Sequence, residues 1–292
     1  MSSVNRCLSA AVTAVLMLAA GASAAQEKAA DSQAAEPRVL LRPPPEAAIA
    51  SPITDRFQLR GTYFGPSVDT IFRFDADDGT PGTVLSAEDD LGLDDKADQG
   101  RIELMFRFGE RSRLRIDYFK LNRFGAVTLD EDIQFGNDVF LAGEPVETSL
   151  DFRFLAFSWT YSLLKRERYE AGLGLGMHLV ETEALGEAVD RLQREQVSGT
   201  VPLPTLVLDG AYRINRRFSV AARAQYFVAS YEDVDGDFGD YQIDVQYRWR
   251  RNFTVGLGYS MIALDVESDD IGDSGLVDLT AKGPVLFFQA SF

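Results

Sequence analysis

The sequence predicts an all-β protein, a closed antiparallel transmembrane barrel of about ten strands in up-and-down meander order. Three observations carry that expectation. Segments of roughly ten residues with alternating apolar and polar positions recur along most of the chain, as in strands with one face in lipid. Short basic connections (GERS, LKRER, NRR, RRN) alternate with longer, mostly acidic ones, the asymmetry of a barrel whose termini lie on one side. The last residues read KGPVLFFQASF, in which Pro284, Leu286, Phe288, Ala290 and Phe292 form an apolar row at period two.

The 292 residues are 46% hydrophobic, an ordinary share. Past the N-terminus no run reaches the roughly 18 consecutive apolar residues that a membrane helix needs. Arg6, the apolar run Leu8 to Ala20 and Ala22-Ser23-Ala24 together read as a cleaved signal peptide over residues 1–24. Cys7, the single cysteine, would leave with it, so no disulfide or thiol chemistry is expected. Residues 25–53, with Pro43-Pro44-Pro45, read as a flexible periplasmic tail, and 54–292 as the barrel. A formal net charge of −16 excludes nucleic acid as the expected partner, because phosphate neutralisation needs a basic surface.

The first strand begins near Asp55, with Phe57, Leu59, Gly61 and Tyr63 on one face; a second extended piece, Val68 to Phe74, prolongs it past an interruption at Pro66. A long acidic loop covers Asp75 to Gly100. The second strand, Arg101 to Phe108, and the third, Arg113 to about Val127, alternate cleanly. The fourth, about Glu147 to Leu163, places Phe152 and Phe154 on the parity opposite to Leu155, Phe157 and Trp159, which predicts a bulge or register change. The fifth runs through Gly172, Gly174, Gly176 and His178 on one face, and a charged loop then extends from Glu181 to about Pro202. Pro204 to Ile214, Phe218 to Tyr231, Tyr241 to Trp249, Phe253 to Leu264 and the C-terminal segment complete the set, with acidic loops at Glu232 to Asp240 and Asp265 to about Ala281. Tyr63, Trp159, Tyr161, Tyr212, Tyr226, Tyr241, Tyr247, Trp249 and Tyr259 stand near the ends of the apolar rows as two aromatic girdles.

On its terminal strand and Phe292, the chain resembles the proteobacterial outer-membrane β-barrel class. The resemblance implies residence in the outer membrane of a Gram-negative bacterium, Phe292 as an assembly signal read by the barrel assembly machinery, and lipid and lipopolysaccharide as surroundings. A monomer is expected. The stretch Thr83 to Asp94 is similar to the first-loop segment of small uncharacterised barrels, which implies no activity.

The inward rows are expected to hold Arg60, Glu103, Arg107, Arg115, Asp117, Glu170, Asp209, Arg213, Arg223, Asp244 and Arg248. In so narrow a lumen they either fill the barrel as ion pairs or line a narrow solute path. A narrow channel, or a structural and surface-interaction protein, is the function expected. The alternative is a rim-located hydrolase, a protease or lipid A-modifying enzyme, using His178, the single imidazole base. Omptin-like proteases are similar in strand number and use aspartates with a histidine near the rim, and lipid A deacylases pair a histidine with a serine. The local sequence Met177-His178-Leu179 matches neither. Asp233, Asp235 and Asp237 copy the first ligand positions of a calcium loop, but Phe238 stands where that loop needs glycine. No cofactor is expected beyond weak Ca²⁺ or Mg²⁺ at such acidic loops, which otherwise read as a solvated anionic surface.

Overall fold

The computed structural model describes residues 52–188, 193–231, 234–268 and 274–292. The expected signal peptide and nearly all of the expected tail lie outside them, as does Asp233. The strands are β1 (Phe57–Phe64), β2 (Ser67–Phe74), β3 (Leu85–Ser86), β4 (Gln99–Phe108), β5 (Ser112–Thr128), β6 (Ile133–Phe135), β7 (Asp138–Phe140), β8 (Pro145–Lys165), β9 (Tyr169–Ala188), β10 (Gln193–Arg213), β11 (Phe218–Tyr231), β12 (Val234–Arg250), β13 (Phe253–Ser268) and β14 (Gly275–Ser291).

Ten of these positions make the wall. β1, β4, β5, β8, β9, β10, β11, β12, β13 and β14 pair in meander order, and β14 returns to β1, from Gln58 opposite Ser291 to Phe64 opposite Val285. Closure leaves no strand edge in lipid at this join. β2 continues β1 beyond Pro66 and pairs with the upper half of β14, so the interruption expected at the proline is present. Phe292 completes the join: its carbonyl accepts the N–H groups of Arg56 and Phe57, each at 3.0 Å, and its own N–H donates to the Phe57 carbonyl at 2.9 Å.

The outer face follows the alternation. On β8, Leu155 to Leu163 presents Phe157, Trp159, Tyr161 and Leu163 outward and exposed, and nine residues match the roughly 9–11 that cross a bilayer obliquely. Above them the same face turns polar, where Arg153 donates to Glu181 at 2.9 Å on β9. The wall therefore stands well clear of the lipid on its long-loop side. Tyr241 departs from the girdle reading: its ring lies over Gly239, where a Cβ would meet it at 2.5 Å, and it is buried.

Phe152 and Phe154 require a correction. The β5–β8–β9 register runs unbroken through both, and the only irregularity on β8 falls between Ser162 and Leu164. They change no register; they point inward, because the interior itself turns apolar at their level. Phe64, Phe119, Phe152, Phe154, Val180, Phe238, Ile262 and Leu279 form a buried cluster there.

The acidic stretch after β2 supplies much of that cluster. Leu85, Ala87, Leu91, Leu93 and Ala97 are buried against the barrel's inner wall, while Asp89, Asp90, Asp94 and Asp95 between them are exposed. The acids are thus a solvated face, as read from sequence, and the apolar residues beneath them form a plug. The plug also completes the wall: β4 begins only at Gln99, and the edge of β2 that it leaves free pairs with the loop through Val68 N–H to Asp95 O (2.8 Å) and Ala87 N–H to Thr70 O (2.9 Å). The β6–β7 hairpin packs Ile133, Phe135 and Phe140 onto the same cluster.

Removing Phe292 deletes three backbone hydrogen bonds at the β1–β14 join. The truncated chain is expected to insert poorly, read as loss of the folded band in an unboiled detergent gel. Normal insertion would contradict the role given to this residue.

Candidate functional site

The inward positions divide by level. Toward the short-turn end they are charged or amide-bearing, and toward the long-loop end apolar. In the polar half, Arg101 donates to Asp117 and Asp240, both at 2.6 Å, and Arg223 donates to Glu103 at 2.6 Å and Asp117 at 3.1 Å. Arg115 reaches Glu103 at 3.2 Å, and Arg113 reaches Asp209 at 2.7 Å. Arg60 donates to Asp244 at 3.1 Å, and its guanidinium lies 4.0 Å from the centre of the Phe287 ring. Strands on opposite sides of the barrel are therefore joined across the lumen by charge-assisted hydrogen bonds, the arrangement that makes burial of such charges tolerable.

The short-turn end is closed by the segment that leads into β1. Arg107 makes a two-pronged pair with Glu170 (2.7 and 2.9 Å) and donates to the carbonyls of Asp55 and Pro52, each at 3.2 Å. Arg248 pairs with the Asp55 carboxylate, Ser162 donates to Glu170, and Ile53 is buried. The space left in the polar half is a cavity of about 50 Å³, bordered by Pro52, Arg60, Glu103, Arg113 and Asp244. Gly172 is part of this fit, since a Cβ there would meet Arg113 Nη2 and Asp209 Oδ1, both at 2.6 Å.

Of the residues expected in the lumen, Arg60, Glu103, Arg107, Arg115, Asp117, Glu170, Asp209, Arg223, Asp244 and Arg248 all join this network. Arg213 sits half-buried at the short-turn end of β10. Four charged participants among the described residues were not anticipated. Arg101 and Arg113 share the parity of the chosen arginines and could have been found by it. Asp240 lies in a stretch read as loop that is in fact strand β12, and Asp55 lies just before β1.

At the boundary between the halves stands His178. It faces inward, but it is buried beneath the apolar cluster and not at the rim, with its ring 4.5 Å from that of Phe238. Neither ring nitrogen has a hydrogen-bond partner, and the space beside it amounts to about 10 Å³. Higher up, Arg123 fastens the plug: it pairs with Glu88 at 2.6 Å, donates to the Asp94 carbonyl at 2.7 and 3.1 Å, and reaches Thr70 Oγ1 at 2.9 Å.

Above the plug the wall encloses a vestibule of about 740 Å³. Phe74, Val180, Val201, Leu264, Val266 and Val277 give it an apolar lining, and Asp75 and Asp77 are the charged residues on it. Outside the wall at this height, Asp237, Asp265 and Asp278 lie directly opposite one another on β12, β13 and β14. Asp235 and Asp237 are strand residues, paired with Glu267 and Asp265, and Asp233 lies outside the described residues; among those described no group of three metal-binding side chains comes together. Burial, and then the like charges of Asp265, Asp69 and Asp237, hold the Asp278 carboxyl above the usual range.

No family model and no curated protein matches the sequence. Solved structures do match. The outer membrane protease OmpT of Escherichia coli aligns with 82% of this chain and 98% of its own at 11% identity and a TM-score of 0.50. The transport unit of the autotransporter AIDA-I from Escherichia coli aligns with 83% and 92% at 12% identity and 0.40, and Ail of Yersinia pestis with 80% and 99% at 11% and 0.36. The likeness to OmpT is one of fold: a Gram-negative outer-membrane β-barrel.

Two outcomes follow from the geometry. Arg101→Ala leaves Asp117 and Asp240 short of a buried partner and is expected to cost about 3–5 kcal/mol, whereas the half-exposed Arg153→Ala should cost far less, because its pair with Glu181 is screened by solvent; urea titrations of the refolded barrel compare them, and equal losses would contradict the network. Because folding raises the Asp278 pKa, its ionisation opposes folding as pH rises through the folded value. Asp278→Asn should therefore stabilise the β13–β14 hairpin at neutral pH, read by amide exchange, with the gain vanishing as pH falls below the unfolded carboxyl value of about 3.9.

Proposed function

We propose that this protein is an outer-membrane barrel sealed through its centre that acts by binding at its extracellular end. The observation that carries the reading is the interior: the charged rows are consumed by one another, the residues from Pro52 to Asp55 close the short-turn end, and an apolar plug fastened by Arg123 lies above. Water and ions need a continuous polar route, and the leucine and phenylalanine plug above the ion pairs interrupts it. The same pairs brace the wall from within, so the extracellular extensions of β8, β9 and β10 stand on a rigid base.

On this reading the long-loop side faces outward, with lipopolysaccharide around it. The hydrolase alternative draws no support from His178, because a general base needs a partner and a reachable substrate, and this ring has neither a hydrogen-bond partner nor more than a small space beside it. A narrow channel would require the network to part.

Planar-bilayer recording of the refolded chain tests the proposal. The wild-type barrel is expected to be electrically silent. Stable, discrete conductance from correctly folded protein, altered by Arg101→Ala or Arg223→Ala, would overturn it in favour of a channel filtered by the arginines.

A further inference from the structure

The wall is not uniformly zipped. β8 and β9 pair from Lys165 opposite Glu170 up to Val146 opposite Ala188, and β12 and β13 from Arg250 opposite Phe253 up to Val234 opposite Ser268, but β10 and β11 pair only from Arg213 opposite Ser219 to Leu206 opposite Tyr226. Above that level β10 runs on to Gln193 paired with β9 alone, and β11 runs on to Tyr231 paired with β12 alone. The break lies beside Pro202 and Pro204, and its cause can be read from the ladder. The N–H of Arg213 donates to Arg168 on the β9 side, and the N–H of Ile214 to Phe218 on the β11 side. The β9–β10 register has no bulge from Tyr212 to Gln193, so even-numbered nitrogens of β10 face β11 throughout. Pro202 and Pro204 occupy two successive positions of that set, and proline has no N–H to give. The edge is stripped of donors where pairing stops.

The edge adjoins the vestibule. Ser198, Gly199, Thr200 and Val201, on the stretch of β10 that β11 does not pair, border the cavity. On the outer side, Pro204 and Val228 are exposed in the upper part of the apolar band, Pro204 beside the exposed Met177 with which it pairs. The other place where a wall strand stops short, beside β2, is covered by the plug loop; among the described residues nothing covers this one.

We propose that the unpaired stretch between β10 and β11 is a lateral portal through which a single-chain amphiphile with a cationic head passes between the outer leaflet and the vestibule. This rests on the reading of the barrel as sealed and acting at its extracellular end. The chemistry of the ligand follows from the lining: an alkyl chain suits Val180, Val201 and Leu264 below, and a positive head suits Asp77 above, while Asp75 beside it is already paired with Arg73 at 3.0 Å. A lipid-like molecule in the outer leaflet already has its head up and its chain down. It can therefore slide sideways through the opening without turning over.

The test uses the full barrel in liposomes containing dodecylamine with a photoreactive diazirine on its chain, with the matching dodecanoate as the competitor of opposite charge. Irradiation is expected to label vestibule residues of β9, β10 and β13, with the amine favoured over the acid by about tenfold. The opening is then closed by Pro204→Cys with Val228→Cys, opposite one another on extrapolation of the Leu206–Tyr226 register, joined by a disulfide or, across a wider gap, by a short bis-maleimide, with the link verified by mass. The linked barrel should lose about tenfold of the labelling while free in the membrane, and the unlinked double variant should retain it. Undiminished labelling of the linked barrel would overturn the portal and leave the vestibule as a site filled from the medium. No vestibule labelling in the wild type would overturn the ligand as well. Neither result depends on conductance, which alone decides whether the barrel is sealed.

Discussion

Arg101 and Arg223, held between Glu103, Asp117 and Asp240, are the interaction on which the interior depends. A ten-strand wall in lipid has satisfied backbone groups only if it closes, and closing it turns one residue in two toward a narrow lumen. Charges placed there lose water on every side. Two guanidiniums shared among three carboxylates restore most of what hydration supplied, and they tie β4 and β5 to β11 and β12 across the barrel. Gly172 of β9 belongs to the same solution, because it leaves room for the Arg113–Asp209 pair.

The change from polar to apolar interior sets what the upper half can do. Below the level of His178 the side chains recognise one another; above it they present a surface that must be covered. Leu85, Leu91 and Leu93 cover much of it, brought in by a loop that also pairs with the free edge of β2, and Arg123 links wall to loop through Glu88 and the Asp94 carbonyl. What is left uncovered is the vestibule, and the donor-poor edge of β10 runs beside it.

The wall was legible because lipid imposes a period of two and leaves little freedom in phase: the outward rows from Leu59 to Phe288 and the inward charged rows stand as the alternation assigns them. The upper interior was less legible. Phe152 and Phe154 looked out of phase because alternation alone takes every large apolar side chain to be lipid-facing, whereas these sit inside a dry core. The leucines of the first loop were hidden by the aspartates between them, since no strand or helix period marks an irregular plug. His178 faces the side its parity gives, but its depth depends on loops that fold over it. Pro202 and Pro204 were visible all along; their meaning required the register, which tells which neighbour each missing N–H would have served.

Ser260 faces inward on β13 between the two halves and is 1% exposed, so it reports on both seals at once. The most direct measurement is the rate at which a cysteine placed there, as Ser260→Cys in a chain whose one natural cysteine is Cys7, reacts with a small charged methanethiosulfonate in the membrane-inserted barrel. A sealed interior predicts no reaction from either side until the barrel is unfolded. Prompt modification of the folded protein would mean that water reaches the centre, and the account of a filled and plugged lumen would fail.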